Sequence, residues 1–301
     1  MIEQAAQKLG FVSGHDFSRA ENGQETLGFS PCGQSSSPQA GYAKNGGPME
    51  PVIDLKCSLP ANPISLSPTA LIWQDVLAQA ITGELLAAMN YTSLSEICDD
   101  PEEVADALEH AAGEKGHAAA FANEGRKIGV DASNNVHAKH WKRLREAFLR
   151  CIAEHDFIGC LIVQEIMLES FAVASYARVG KVAPGTLGKT FAAIAAEEED
   201  HISHAMEILK KERARDERSF DTRLHRLHLE VMTTLAEMLA KDCRTGHCEV
   251  CHGSCVKPAL PDVSLSAAEL RGASLHQYLK TLDQLGLPGE VTLTWVAQLP
   301  V

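Results

Sequence analysis

Basic residues are in short supply in this 301-residue chain: 27 Lys and Arg stand against 40 Asp and Glu, a formal net charge of −13. A general binder of nucleic acid or of an anionic membrane surface needs a basic face, so the balance argues against both roles. No run of 18 apolar residues is evident, and no bilayer span is expected. The opening Met1-Ile2-Glu3-Gln4 lacks the basic-then-apolar pattern of a secretory signal. Strand-like alternation is also missing, except for a weak trace at Val291-Thr292-Leu293-Thr294. Aromatic residues are only 5% of the chain, although 45% is hydrophobic. That is enough apolar material, at this length, for one substantial domain with a smaller appendage.

Nine cysteines, an odd number, are present. Without an export signal they point to a reducing, cytoplasmic compartment, where metal or redox chemistry explains cysteine better than disulfides do.

Residues 1–66 hold 8 of the 22 glycines and 6 of the 13 prolines. Stretches such as Gly33-Gln34-Ser35-Ser36-Ser37-Pro38 are turn and linker chemistry, which buries little apolar area. The segment reads as an irregular or disordered arm, and residues 67–301 as the domain proper.

From Pro68 onward the apolar residues recur at helical spacing. Helices are expected over 69–94, 101–127, 137–153, 157–179, 187–213, 220–242 and 265–285, with a loop at 131–135. Asp100 is a natural N-cap for the second, and acids fill its first turn. The segment 157–179 is apolar almost all round, the mark of a buried central helix. The fold class is therefore all-α.

That central segment contains Glu165 and Glu169, one turn apart in apolar sequence. A buried carboxylate without a partner costs several kcal/mol, so it must be neutralised, paired or metal-bound. Histidines are at hand. Glu114-Lys115-Gly116-His117 and Glu198-Glu199-Asp200-His201 each place Glu and His three apart, about 60° around a helix axis, so each pair points at one spot. The spacing alone is weak, since Glu249 and His252 repeat it by chance. The arrangement is stronger. Glu84, then Glu114 and His117, then Glu169, then Glu198 and His201 is the ligand inventory of a di-iron carboxylate bundle. Glu84 to Glu114 is 30 residues and Glu169 to Glu198 is 29, so two similar hairpins would bring all six inward. Such N/O donors without thiolate suit a pair of iron or manganese ions able to activate O₂.

The stretches Gly83-Glu84-Leu85-Leu86-Ala87-Ala88-Met89-Asn90-Tyr91, Cys160 through Tyr176, Glu198-Glu199-Asp200-His201, and Gly125-Arg126-Lys127-Ile128-Gly129-Val130 resemble the cyanobacterial aldehyde-deformylating oxygenases. The resemblance spans roughly 68–299. It implies a ferritin-like di-iron bundle with additional C-terminal helices, and iron ligands at Glu84, Glu114, His117, Glu169, Glu198 and His201. It also implies the activity: a long-chain fatty aldehyde, O₂ and four electrons give an alkane and formate through a peroxo species. An external electron donor of the ferredoxin/reductase type would supply the electrons. Tyr176 falls in the matching helix and is, with Glu165, a candidate catalytic residue.

Three departures stand out. Glu165 replaces a small apolar residue of that family, as an extra ligand, a proton donor or a plain buried acceptor. Val179 stands where the family has a second tyrosine, and Met89 where it has an acid. Third, an insertion at 243–255 carries Cys243, His247, Cys248, Cys251, His252 and Cys255. Its C-x₄-C-x₂-C-x₃-C spacing would suit a structural zinc, an iron–sulfur cluster or dithiol relay, or free or disulfide-forming thiols. Two alternatives follow for function: N-oxygenation or hydroxylation of an amine or amino-acid-derived substrate, and a rubrerythrin- or ferritin-type iron protein.

Overall fold

The computed structural model describes residues 67–240 and 256–300. The proposed arm at 1–66 and the cysteine-rich insertion, with Cys243, His247, Cys248, Cys251, His252 and Cys255, lie outside the described residues.

Among the described residues every regular element is helical. They are α1 (Pro68–Leu94), α2 (Pro101–Lys127), α3 (Lys139–Ala153), α4 (Phe157–Leu161), a π-helical turn (Ile162–Leu168), α5 (Glu169–Gly180), α6 (Gly185–Arg215), α7 (Glu217–Leu239), a 3₁₀ segment (Lys257–Val263), α8 (Ala267–Gln284) and α9 (Gly289–Ala297). Sequence signals explain the boundaries. The Ser67 hydroxyl accepts from the Ala70 N–H ahead of Pro68, and the Asp100 carboxylate accepts from Glu102 N–H ahead of Pro101. The Asp156 carboxylate starts α4 in the same way, accepting from Gly159 N–H.

Two expectations fail. Val291–Thr294 lies inside α9, not in a strand: the β-branched residues alternate, but Pro288 and Glu290 open a helix there, and Thr292 and Trp295 are buried on one face. Residues 157–179 are not a uniform α-helix either. Ile162–Leu168 widens into a π-helical turn, which an all-apolar run cannot announce because every face is buried alike. This same stretch, Phe157–Gly180, is long and apolar enough by mean composition to cross a membrane, but Glu165 and Glu169 interrupt it and 72% of its apolar window is buried in the protein. It is the central helix of the bundle.

Two hairpins make the core. α1 packs along α2, α5 packs along α6, and α2 meets α6 to join them. α8 covers α5, while α3 and α7 pack against each other and α9 against α8. The buried apolar residues form two clusters. On α1, α2 and α6 the changeover from one cluster to the other falls at Glu84, at Glu114 and His117, and at Glu198 and His201. A polar layer thus crosses the middle of the core.

Candidate metal centre

Glu84, Glu114, His117, Glu169 and Glu198 are each at most 8% exposed, and His201 is nearly buried. All six side chains predicted as ligands converge. Their donor atoms form two groups, each within 4.8 Å: Glu84, Glu114, His117 and Glu198, and Glu114, Glu169, Glu198 and His201. Glu114 and Glu198 belong to both. His117 Nδ1 lies 3.4 Å from Glu114 Oε2 and 3.1 Å from Glu198 Oε1. His201 Nδ1 lies 3.7 Å from Glu114 Oε1 and 2.9 Å from Glu198 Oε2. Each of these two carboxylates therefore turns one oxygen to each histidine.

These contacts are close without being hydrogen bonds. Glu114 Oε1, both oxygens of Glu198 and His201 Nδ1 are buried and have no hydrogen-bond partner. Orphaned buried polar atoms are rare and costly, and lone pairs aimed at common points are what a cation pair needs. With Glu165, five carboxyl groups meet two imidazoles here, far too much negative charge for a low-dielectric core unless protons or cations offset it. The donor set, carboxylate-rich with one imidazole for each group, fits two hard or borderline divalent ions.

Without metal, protons fill that role. Burial raises the carboxyls of Glu114 and Glu169 above the ordinary range. Burial would depress His117 and His201, but the facing glutamates outweigh it and raise both. Burial would likewise raise Glu198, yet the two histidines bring it down to about 2. Ligands must be deprotonated to bind, so metal loading at pH 7 is expected to expel the imidazolium protons of His117 and His201 and any held by Glu114 and Glu169. Addition of Fe(II) or Mn(II) to weakly buffered protein at pH 7 should acidify the solution, read with an indicator dye.

A further set of side chains holds the ligands in place. Tyr176 Oη donates to Glu84 Oε1. The Nε2 of His117 lies 2.8 Å from Glu197 Oε2, so an exposed carboxylate orients the ring whose other nitrogen faces the centre. On the other side, Arg145 donates to Asn90 Oδ1 (2.6 Å), Asn90 Nδ2 donates to Gln164 Oε1 (2.6 Å), and Gln164 Nε2 donates to Glu169 Oε1 (2.5 Å). Arginine can only donate, which fixes the direction of both amides down the chain. Gln164 and Glu169 are five apart, about 140° around an α-helix, and could not meet on one. The π-helical turn, closing i→i+5, brings them together.

The same turn places Glu165, 4% exposed, where Tyr91 Oη donates to its Oε1 at 2.7 Å. Its Oε2 has no partner. Burial pushes its carboxyl up to about 7, against the opposing pull of Tyr91 and His201. His110 stacks on Tyr91 and stands edge-on to His201, with ring centroids 4.3 Å apart, and so fixes the plane of that ligand.

Sequence reasoning missed Glu197, Asn90, Gln164, Arg145 and His110. Nothing in a four-acid run marks Glu197 apart, while Asn90 and Gln164 sat inside the quoted ligand helices and were open to notice.

Glu84, Glu114 and Glu169 form one wall of a cavity of about 240 Å³. Apolar side chains from α1, α5, α6 and α7 line most of the rest, among them Val76, Ala80, Phe171, Phe191, Leu235 and Met238. Carboxylates at the wall of an apolar chamber suit a small or chain-like apolar substrate.

Residues 72–249, more than half of the sequence, match the long-chain fatty aldehyde decarbonylase family. The chain belongs to that family. The chain is similar in fold to the solved structure of "Protein 19 with aldehyde deformylating oxidase activity" from Synechococcus. It superposes with a TM-score of 0.64 at 19% identity, over 77% of this chain and 100% of that one. At that identity the likeness concerns the fold, a ferritin-like helical bundle. The chain is thus an enzyme of the decarbonylase family with a buried Glu/His cluster suited to binding metal.

Proposed function

We propose that this enzyme is an O₂-dependent di-iron aldehyde-deformylating oxygenase. The reaction takes R–CHO, O₂, four electrons and four protons to R–H, formic acid and water. The observation that carries the reading is the pair of four-residue donor sets sharing Glu114 and Glu198 at the wall of an apolar cavity, in a chain of this family. Glu84, Glu114, His117 and Glu198 would hold one iron, and Glu114, Glu169, Glu198 and His201 the other. Two ferrous ions bound there would supply electrons to O₂ and a Lewis-acidic position for the aldehyde oxygen.

The rest falls to the chain's own side chains. The apolar walls hold the alkyl chain and keep bulk water from the reacting carbon. Tyr176 occupies Glu84 Oε1 and turns Oε2 to the centre, where it lies 3.2 Å from His117 Nδ1. Gln164 likewise occupies Glu169 Oε1. Glu165, with a carboxyl that titrates near 7 and one oxygen unpartnered, holds a proton beside the centre, and Tyr91 fixes its orientation. The electrons come from an external donor of ferredoxin or reductase type.

The test is anaerobic reduction of iron-loaded protein, followed by mixing with O₂ and a panel of aldehydes and amines. Alkane and formate in equal amounts from an aldehyde are expected. Oxidation of an amine, with no formate from any aldehyde, would overturn the reading in favour of N-oxygenation.

A further inference from the structure

Charge is spread unevenly over the helices. The chain carries a net −13, yet α3 holds Lys139, Lys142, Arg143, Arg145 and Arg150 against Glu146 alone. Every other described helix is neutral or acidic, with histidine counted as neutral. Trp141, Leu144 and Phe148 bury one face of α3, so its charges stand on the outer face. Arg143 and Arg150 lean sideways onto Glu237 and Glu230 of α7. The face stays positive with those two acids and Glu146 counted. Lys142, Arg145 and Leu149, at i, i+3 and i+7, form one stripe along it. Leu149 is 40% exposed, and Met89, beside Asn90 on the neighbouring α1, is 45% exposed. An apolar centre within a charged rim is the anatomy of a docking surface.

The ligand set also reaches the surface here. Arg145, on the stripe, begins the run through Asn90 and Gln164 to Glu169, three hydrogen bonds of 2.6, 2.6 and 2.5 Å. A second route leaves through His117 and Glu197, but it emerges in the acidic run Glu197-Glu198-Glu199-Asp200. An acidic partner is drawn to the first exit and repelled by the second. Electron transfer between proteins falls steeply with distance and runs better through bonds than across gaps. A carrier seated on α3 has a continuous hydrogen-bonded path to a ligand carboxylate.

We propose that the outer face of α3, centred on Arg145, is the docking site of the electron donor, a small acidic iron–sulfur protein. The inference rests on the oxygenase reading for the demand for electrons. Four encounters, each oxidising the donor by one electron, supply the four electrons of that reaction. The face is basic, so the partner is acidic; the path ends on a metal ligand, so the partner is a one-electron carrier. Lys142, Arg145 and Arg150 steer it in, while Leu149 and Met89 give the contact its apolar centre.

The probe is an acidic [2Fe–2S] ferredoxin. Its binding to the full-length, iron-loaded and oxidised protein is measured by calorimetry. Oxidation of the reduced ferredoxin by that protein, under argon and without aldehyde, is followed by visible absorption. Both should weaken as ionic strength rises. Lys142→Glu combined with Arg150→Glu should raise Kd about tenfold and flatten the salt dependence. Turnover driven by a small reductant, dithionite with a phenazine mediator, should not change in that variant. Lys142→Glu alone, at an exposed position, should move Kd in the same direction, which keeps the test open if the pair does not fold. Glu199→Lys, on the acidic run, should change Kd by less than Lys142→Glu does. An unchanged Kd in both Lys142 variants, or a larger effect from Glu199→Lys, would overturn the inference. Ferredoxin oxidation that depends on Lys142, with no alkane or formate from any aldehyde, would support the docking site and overturn the deformylase reading.

Discussion

Replacing Glu114 and Glu198 together by alanine is expected to empty the metal centre while leaving the bundle folded. Both residues face both histidines, so their loss removes two donors from each group and leaves only Glu84 with His117, and Glu169 with His201. Two donors apiece do not hold a divalent ion in competition with water. Iron content measured on purified protein should fall from two per chain to near zero, and alkane formation should fall to background. The fold should survive, because the same change removes two buried carboxyls and lets His117 and His201 go neutral. A thermal melt supplies an independent readout. Metal at about 100 times its dissociation constant stabilises the unaltered protein by about 2.7 kcal/mol for each site, whereas the double variant should show no response. Unchanged iron content in the variant would refute the ligand assignment.

The second large effect concerns a glycine far from the chemistry. A Cβ on Gly188 would stand 2.7 Å from Gly180 O and 3.0 Å from Ala183 O, both backbone atoms that no rotamer change can move. The contact closes the turn between α5 and α6, the hairpin that carries Glu169, Glu198 and His201. Gly188→Ala is therefore expected to cost about 3 kcal/mol, the upper range for overpacking, which lowers the melting temperature by roughly 6–12 °C in a domain of this size. Iron content should drop as well, since the hairpin must splay. Gly113→Ala is the control. It lies inside α2 with open space around it, and should raise stability by up to about 1 kcal/mol through helix propensity alone. A melting temperature unchanged in Gly188→Ala would show that the hairpin relaxes freely.

Much of this arrangement was legible in the sequence. Helical periodicity placed α1 to α3 and α6 to α8 within a few residues, because apolar residues recur at helical spacing and side-chain caps mark the starts of α1, α2, α7 and α8. The six ligands were legible because Glu-x-x-His is a local geometry and because Glu84 and Glu169 are acids in apolar surroundings. The parts that escaped notice depend on relations the linear chain does not display. Arg145 reaches Asn90 across 55 residues, and Asn90 reaches Gln164 across 74. The π-helical turn leaves no periodic trace in a segment buried on every side. In α9 the alternation of Val291 and Leu293 with threonine imitated a strand, while both apolar side chains remain exposed and the buried face is formed by Thr292 and Trp295.

The sharing of Glu114 and Glu198 has a consequence for assembly. Glu114 and Glu198 would serve both positions, so once they had been deprotonated to hold a first ion they would stand ready for a second. Loading should be cooperative, so that protein given less than its full complement of iron divides into empty and doubly filled molecules. Half-filled centres, able to bind O₂ but short of electrons to reduce it, would then be scarce at every iron supply.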